Sequence, residues 1–242
     1  MTWVEETGST NADLMAAARA GAPNGTVLVA DHQTAGRGRL GRTWRAPPGS
    51  ALLCSILLRP APEAVLHGAV WAVALAARQA VSELAGVEPD LKWPNDLLSG
   101  GRKLAGVLAE GVAAPDDPSR LAAVVVGIGL NVGWDEPPPE VAAGAVTVEE
   151  LVGHAVDREA LLHALLGALA PLLELWSGAV DQLHRRYRAA LTTLGQAVRV
   201  TMADGDIEGE ALDVTDDGAL VVRVGDDELV VSAGDVVHLR PA

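Results

Sequence analysis

The 242-residue sequence contains no phenylalanine and only one tyrosine. Its core must therefore be filled by Ala, Val and Leu, with six tryptophans as the bulky exceptions. A hydrophobic content of 49% is ample for that. Cysteine occurs once, as Cys54, which excludes an internal disulfide and fits a reducing compartment. It lies in an apolar, strand-like run and reads as a buried, inert thiol. No basic-then-apolar leader opens the chain, because Glu5 and Glu6 come almost at once. No apolar run is expected to reach the roughly eighteen residues of a membrane span, Leu121 to Val132 being too short and containing glycines. A cytoplasmic protein without membrane attachment is expected. Basic residues number 18 against 32 acidic ones, a net charge of −14, which argues against nucleic-acid partners whose phosphates need a basic surface. There is also no His/Cys cluster at metal-ligand spacing, so no protein-bound metal is expected.

Lysine is scarce too. Sixteen of the 18 basic residues are arginine, which leaves Lys92 in Leu91-Lys-Trp-Pro-Asn-Asp96 and Lys103 in Gly101-Arg-Lys-Leu-Ala-Gly106. An ammonium is a compact point charge and a guanidinium a planar fork, so a lysine kept in an arginine background marks a place where one charge must reach one oxygen. The arginines have their own concentration: Gly36 to Arg45 holds four of them and no acid. Its Gly36-Arg-Gly-Arg-Leu-Gly41 matches the dinucleotide fingerprint G-x-G-x-x-G only superficially. Thr43-Trp-Arg-Ala-Pro-Pro48 cannot open a helix, and Pro60-Ala-Pro62 stands where the ribose-binding acid would fall. The segment reads instead as a glycine-hinged loop whose guanidiniums await a small anion, which would relieve their mutual repulsion.

The patterning predicts a helix from about Thr10 to Gly21, with Thr10 and Asp13 as a capping-box-like pair. Strands are expected at 26–30, 50–58, 90–93, 104–110 and 121–132, with Pro115 to Pro118 turning a hairpin. Leu66 to Leu84 has helical spacing. A long helix is expected over 158–190, broken near Pro171. Without regular βα alternation the larger part reads as α+β. After Gly195 five short alternating strands separated by Asp-Gly and Gly-Asp turns signal a small antiparallel barrel. The expected division is a catalytic domain over residues 1–194 and a barrel over 195–242.

Ser9-Thr-Asn11, His32-Gln-Thr-Ala-Gly-Arg-Gly-Arg39, Leu91-Lys-Trp-Pro-Asn-Asp96, Lys103-Leu-Ala-Gly106 and Gly127-Ile-Gly-Leu-Asn131 together resemble the biotin protein ligases, in family order and from about residue 3 to the end. The resemblance implies a mixed sheet backed by helices, related to class II aminoacyl-tRNA synthetases, with an SH3-like C-terminal barrel. It implies that biotin and ATP, with Mg2+ carried by the nucleotide, form biotinyl-5′-AMP. The acyl group then passes to one lysine of the biotin carboxyl carrier domain of an acyl-CoA carboxylase. Some relatives carry an N-terminal DNA-binding domain. Eight residues precede Ser9 here, so a form without it is expected, acting as a monomer or weak homodimer.

The same resemblance distributes roles. Ser9, Thr10, Asn11, Gln33, Gly36, Arg37, Gly38, Lys103, Gly106 and Gly127 would surround biotin, with uncharged donors and acceptors suiting a neutral urea. Thr10 could equally cap its helix. Arg37, Arg39, Arg42, Trp44, Lys92, Asn95, Gly129 and Asn131 would hold the nucleotide. Trp44 is either an adenine platform or a core residue, and Lys92 either faces the nucleotide or pairs with Asp96. Gly127 and Gly129 would let backbone approach the ligand. Lys103, Arg37, Arg39 and Asp96 would carry catalysis, Lys103 bridging acyl and phosphate oxygens and Asp96 orienting the acceptor amine. A lipoate-type ligase would need an apolar channel in place of the polar residues. A non-catalytic biotin-responsive protein would have little use for Lys103.

Overall fold

The computed structural model describes residues 1–60, 66–114, 117, 120–202, 205–232 and 234–239. In chain order the elements are β1 (Thr2–Thr7), α1 (Thr10–Arg19), β2 (Thr26–Gln33), β3 (Ala51–Leu58), α2 (Leu66–Ala85), β4 (Asp90–Lys92), β5 (Asp96–Ser99), β6 (Arg102–Ala113), β7 (Leu121–Asn131), α3 (Val148–Val152), α4 (Arg158–Gly178) and α5 (Val180–Ala190). A second group follows: β8 (Ala197–Met202), β9 (Gly205–Val214), β10 (Leu220–Val224), β11 (Asp227–Val231) and β12 (Asp235–His238).

A seven-stranded sheet runs in the order β1-β2-β3-β7-β6-β5-β4. Only β1 and β2 are parallel neighbours, so the sheet is mixed. Strand β3 is apolar throughout except for Ser55, because the sheet is covered on both faces. Its Leu57 meets Leu14, Met15 and Ala18 of α1, while Ile56 and Leu58 join the larger cluster with Trp71 of α2 and Leu165 of α4. That cluster continues into Val198, Val200 and Val222 of the C-terminal five-stranded antiparallel sheet, ordered β11-β10-β9-β8-β12. The junction is bonded as well as apolar: buried Trp93 donates from Nε1 to the Gly218 carbonyl at 2.9 Å and from its backbone N–H to Thr193 Oγ1 at 3.0 Å. Cys54 is buried in β3, and burial pushes its thiol up to about 12.

Several expectations need correction. The helical break lies at Ala179, with φ −154° and ψ 53°, and not at Pro171, which sits inside α4. A proline removes one helical hydrogen bond, and the buried Leu165, Leu169 and Leu172 around it hold the helix together. Helix α4 has the length and hydropathy of a membrane-crossing helix, yet its inward leucines are in the core. Ser9, not Thr10, caps α1, its side chain accepting from Ala12 N. Strand β1 was not expected, since an exposed edge strand with paired glutamates carries little hydrophobic signal. Helix α3 was legible in principle: Thr147 caps it by accepting from Glu150 N–H, the Thr-x-x-Glu pattern, and Gly153 ends it at φ 76°. The β6–β7 hairpin forms as expected, but Pro115, Asp116 and Pro118 of its turn, like Pro62, lie outside the described residues.

Candidate active site

Three adjacent strands create a bare floor in the main sheet. In the ladders Gly106 of β6 faces Gly129 of β7, and Gly127 of β7 faces Ser55 of β3. Glycine at these positions leaves room for side chains arriving from elsewhere. A Cβ on Gly129 would come within 2.4 Å of Trp44 Cε2, and one on Gly127 within 2.2 Å of Asn11 Oδ1. The expectation that these glycines admit a ligand is thus changed in detail: here the approaching atoms belong to Trp44 and Asn11. The Trp44 indole lies on the floor with Nε1 buried and, among the described residues, without a hydrogen-bond partner. Such an orphaned donor is a recurrent mark of a site whose partner arrives later.

Trp44 divides two hollows that share Arg37, Gly106 and Leu108 as walls. The first is small and polar, and Ser9, Thr10, Asn11, Gln33 and Gly127 line it. Capping places Ser9 at the N-terminus of α1, and β2 delivers Gln33 beside it. Gln33 Oε1 accepts from the Thr10 backbone N–H at 2.8 Å and lies 3.0 Å from Thr10 Oγ1. Ser55 Oγ lies 2.7 Å from Thr10 Oγ1 and 2.6 Å from Asn11 Oδ1. Asn11 Nδ2 donates to the Leu108 carbonyl at 3.2 Å and to Glu110 Oε2 at 2.9 Å.

The second hollow is charged. Arg37, Arg39 and Arg42 of the loop, Asn95, Asp96 and Lys103 line it, and Gly234 and Asp235 of the C-terminal sheet close one side. Lys103 Nζ stands 2.6 Å from Asp96 Oδ1 but off the hydrogen-bonding direction, so the contact is one of charge. The ammonium also lies 5.7 Å from the centroid of the Trp44 ring. The backbone of Lys103 is clamped on both sides: its N–H donates to Gly144 and its carbonyl accepts from Val146 N and Asn131 Nδ2.

The loop's arginines do not simply wait for an anion. Arg37 pairs with Glu110 at 3.2 Å, Arg42 with Asp235 at 2.7 Å and Arg45 with Glu140 at 3.2 Å. Carboxylates from three other parts of the chain therefore relieve the repulsion that the sequence alone assigned to a ligand. The Arg42 pair holds that guanidinium above its ordinary value. Arg39 differs: burial lowers it, while Asp96, Tyr187 and Asp235 support its charge. Gly36 is buried at the neck of the loop, where its carbonyl accepts from Trp44 N, and Gly38 donates to the Arg42 carbonyl at 2.7 Å. At the tip Leu40 is 64% exposed and held at φ 54°, a left-handed conformation that costs a non-glycine residue about 1 kcal/mol or more.

Of the expected nucleotide contacts, Gly129 lines the first hollow and not the second, and two fall outside both. Lys92 ladders with Asp96 through the backbone, but the Asp96 carboxylate belongs to Lys103, and the Lys92 charge is felt at His238 instead. Asn131 spends its amide on the carbonyls of Lys103 and Val146. Three residues of the site were missed from sequence: Ser55, Glu110 and Asp235. Ser55 had a signal, being the one hydroxyl in an otherwise apolar strand. Glu110 and Asp235 had none, because only folding carries them to the loop. Among the described residues no group of three or more His, Cys, Asp or Glu is arranged to hold a metal ion.

Comparison with known proteins gives a consistent result. The model of the biotin/lipoate A/B protein ligase family matches residues 5–131, and that of the biotin protein ligase C-terminal domain matches residues 193–239. The chain is 44% identical to the biotin–[acetyl-CoA-carboxylase] ligase of Mycobacterium tuberculosis over 98% of its own length and 88% of that protein. It is 31% identical to the bifunctional ligase/repressor BirA of Bacillus subtilis, over 89% of this chain and 66% of that one. Among solved structures it is similar to the Aquifex aeolicus biotin protein ligase in complex with biotin and ATP. That match has a TM-score of 0.84 and 28% identity, and covers 99% of this chain and 98% of the other.

Proposed function

The chain belongs to the biotin/lipoate A/B protein ligase family, and from that premise we propose that it is an ATP-dependent biotin–[biotin carboxyl-carrier protein] ligase. The observation that carries the reading is the pair of hollows meeting at Trp44, one polar and lined mainly by uncharged groups, the other cationic. Such an arrangement suits a neutral urea at one end of a substrate and a phosphate at the other. Lipoate, which has no urea, would leave the Ser9, Thr10 and Gln33 groups unmatched.

In the first step a biotin carboxylate oxygen attacks the α-phosphorus of ATP, and pyrophosphate leaves. Catalysis of that displacement is positioning and charge neutralisation. Lys103 and the loop arginines Arg37, Arg39 and Arg42 supply the charge, and a phosphate oxygen bound by Lys103, Arg37 or Arg42 replaces an internal carboxylate. Asn95 is placed to bind the nucleotide from the cleft wall. Trp44 leaves the glycine floor and offers its face to the adenine and its Nε1 to a ligand oxygen. Magnesium comes with ATP and keeps most of its ligands from phosphate and water, as its reluctance to dehydrate favours. In the second step the acceptor lysine nitrogen attacks the acyl carbon and AMP leaves. Asp96, relieved of Lys103 by the phosphate, orients the amine and takes its proton. Lys92 and Asn131 support the site from outside it, Asn131 by fixing the backbone of Lys103.

The reading includes a catalytic unit over residues 1–194 and a barrel over 195–242, with the carrier domain of an acyl-CoA carboxylase as acceptor. It also includes a cytoplasmic monomer or weak homodimer. Incubating the protein with biotin, MgATP and a carrier domain, with lipoate in parallel, tests it. A biotinyl mass increment on the carrier with biotin only is expected. Modification with lipoate alone, or with neither acid, would overturn the reading.

A further inference from the structure

Glu110 sits on β6 one side of the polar pocket, with its side chain 25% exposed. Its two oxygens are allotted separately: Oε2 accepts from Asn11 Nδ2 at 2.9 Å, and Oε1 meets Arg37 Nη1 at 3.2 Å. Counting protons shows what the first contact does. A carboxylate only accepts, so the Asn11 amide must turn its NH2 toward Glu110 and the Leu108 carbonyl. Asn11 Oδ1 then has to accept, and the Ser55 hydroxyl 2.6 Å away spends its one proton there. Ser55 Oγ is left as an acceptor toward Thr10, whose backbone N–H holds Gln33 by Oε1. Gln33 lines the pocket, and with its Oε1 taken by Thr10 N–H the donors of its amide are on Nε2. One charged group thus sets the direction of a chain running through the side chains of Asn11, Ser55 and Thr10, while the Thr10 backbone N–H fixes Gln33 beside it.

We infer that Glu110 is a positioning and specificity-determining residue for the urea end of the substrate. It acts through Asn11, Ser55 and Thr10 rather than by contact, next to Gln33, which the Thr10 backbone holds. Its second oxygen ties the neck of the arginine loop to the same pocket wall. A cyclic urea presents two N–H donors and a carbonyl acceptor at fixed angles. A pocket whose donors and acceptors are fixed in one sense selects it over an acid of similar length without those groups. This inference rests on the ligase reading above.

The test is biotin-dependent exchange between ATP and pyrophosphate in the full chain, with biotin, desthiobiotin (which keeps the urea) and lipoate as acids. Glu110→Ala leaves an Asn11 N–H unpaired. It should raise KM for biotin and for desthiobiotin on the order of tenfold, as loss of a charged, half-buried hydrogen-bond partner does. KM for ATP should change much less, and discrimination against lipoate should narrow. Glu110→Gln keeps an acceptor oxygen for Asn11 while removing the charge that holds Arg37. It should therefore recover most of the biotin affinity, yet let trypsin cleave faster after Arg37. A Glu110→Ala protein with unchanged KM for biotin, or with biotin and ATP equally impaired, would overturn the inference. So would a Glu110→Gln protein as defective toward biotin as Glu110→Ala. Absence of biotin-dependent exchange in the unaltered chain would instead overturn the ligase reading itself.

Discussion

The two lysines separate once their surroundings are known. Lys103 has its backbone clamped by Gly144, Val146 and Asn131, and its ammonium between Asp96 and the Trp44 ring. A guanidinium there would engage the Asp96 carboxylate as a planar fork, and its charge would no longer converge on a single oxygen. Lys103→Arg should therefore slow pyrophosphate release in the first step by roughly a hundredfold, the scale of removing one well-aimed charge from a transition state. A rate within about threefold of normal would remove Lys103 from the chemistry. Lys92 lies outside the cleft lining, and Lys92→Arg should leave the same rate within about twofold. The comparison of these two variants in one assay is the direct test of what lysine scarcity means in this chain.

At the scale of elements, the sheet and helix α4 place opposite demands on glycine. Gly127 in β7 has Asn11 against it, and a methyl there must displace the Asn11 amide or the strand. Gly127→Ala should cost about 1–3 kcal/mol in unfolding free energy, as overpacking in a filled core does, and biotin binding should fall with it. Gly167 in α4 meets nothing within 4 Å, so Gly167→Ala should be neutral or stabilising by up to about 1 kcal/mol. Denaturant midpoints of the pair decide whether the close approach or the residue type matters. The arginine loop is held by three ion pairs whose guanidiniums are all solvent-exposed, so each is screened and worth little by itself. Ligand phosphates can therefore take its arginines over. Biotin with ATP should protect residues 36–49 from trypsin, as read by mass mapping. Unchanged cleavage would show that the loop does not cover the ligand.

At the scale of the molecule, the C-terminal sheet shares a core with the main domain and supplies Asp235 to the cleft. Deleting residues 195–242 would uncover Trp93 and remove one cleft wall, so adenylate formation should fail along with transfer. The junction also carries histidines. Burial lowers His67, which lies against Gly218 near Arg39 and Asp217. Burial also lowers His238, bonded to Thr193 near Lys92 and Asp90. A histidine with a depressed folded pKa binds fewer protons folded than unfolded. Its share of stability is thus full above about 6.5, the unfolded value, and is lost as pH falls below it. The urea midpoint should be lower at pH 5.5 than at pH 7.5, and His67→Gln should reduce the difference. Equal midpoints in the unaltered chain would discount the histidines.

Periodicity and turn residues were enough to expect most strands and helices, because burial of β3 or α2 demands continuous or spaced apolar residues wherever they end up. Edge strand β1 escaped because a half-exposed strand places no such demand, and Pro171 misled because packing outweighs one lost hydrogen bond. Motif residues with distinctive chemistry, such as Lys103 and the four loop arginines, stood out from their composition alone. Pairings did not. That Arg42 meets Asp235, 193 residues away, and that Glu110 orients Asn11, depends on which strands become neighbours and in what register. Residue types and local patterns are properties of the chain, but the partner of a charge is decided only when long-range contacts form.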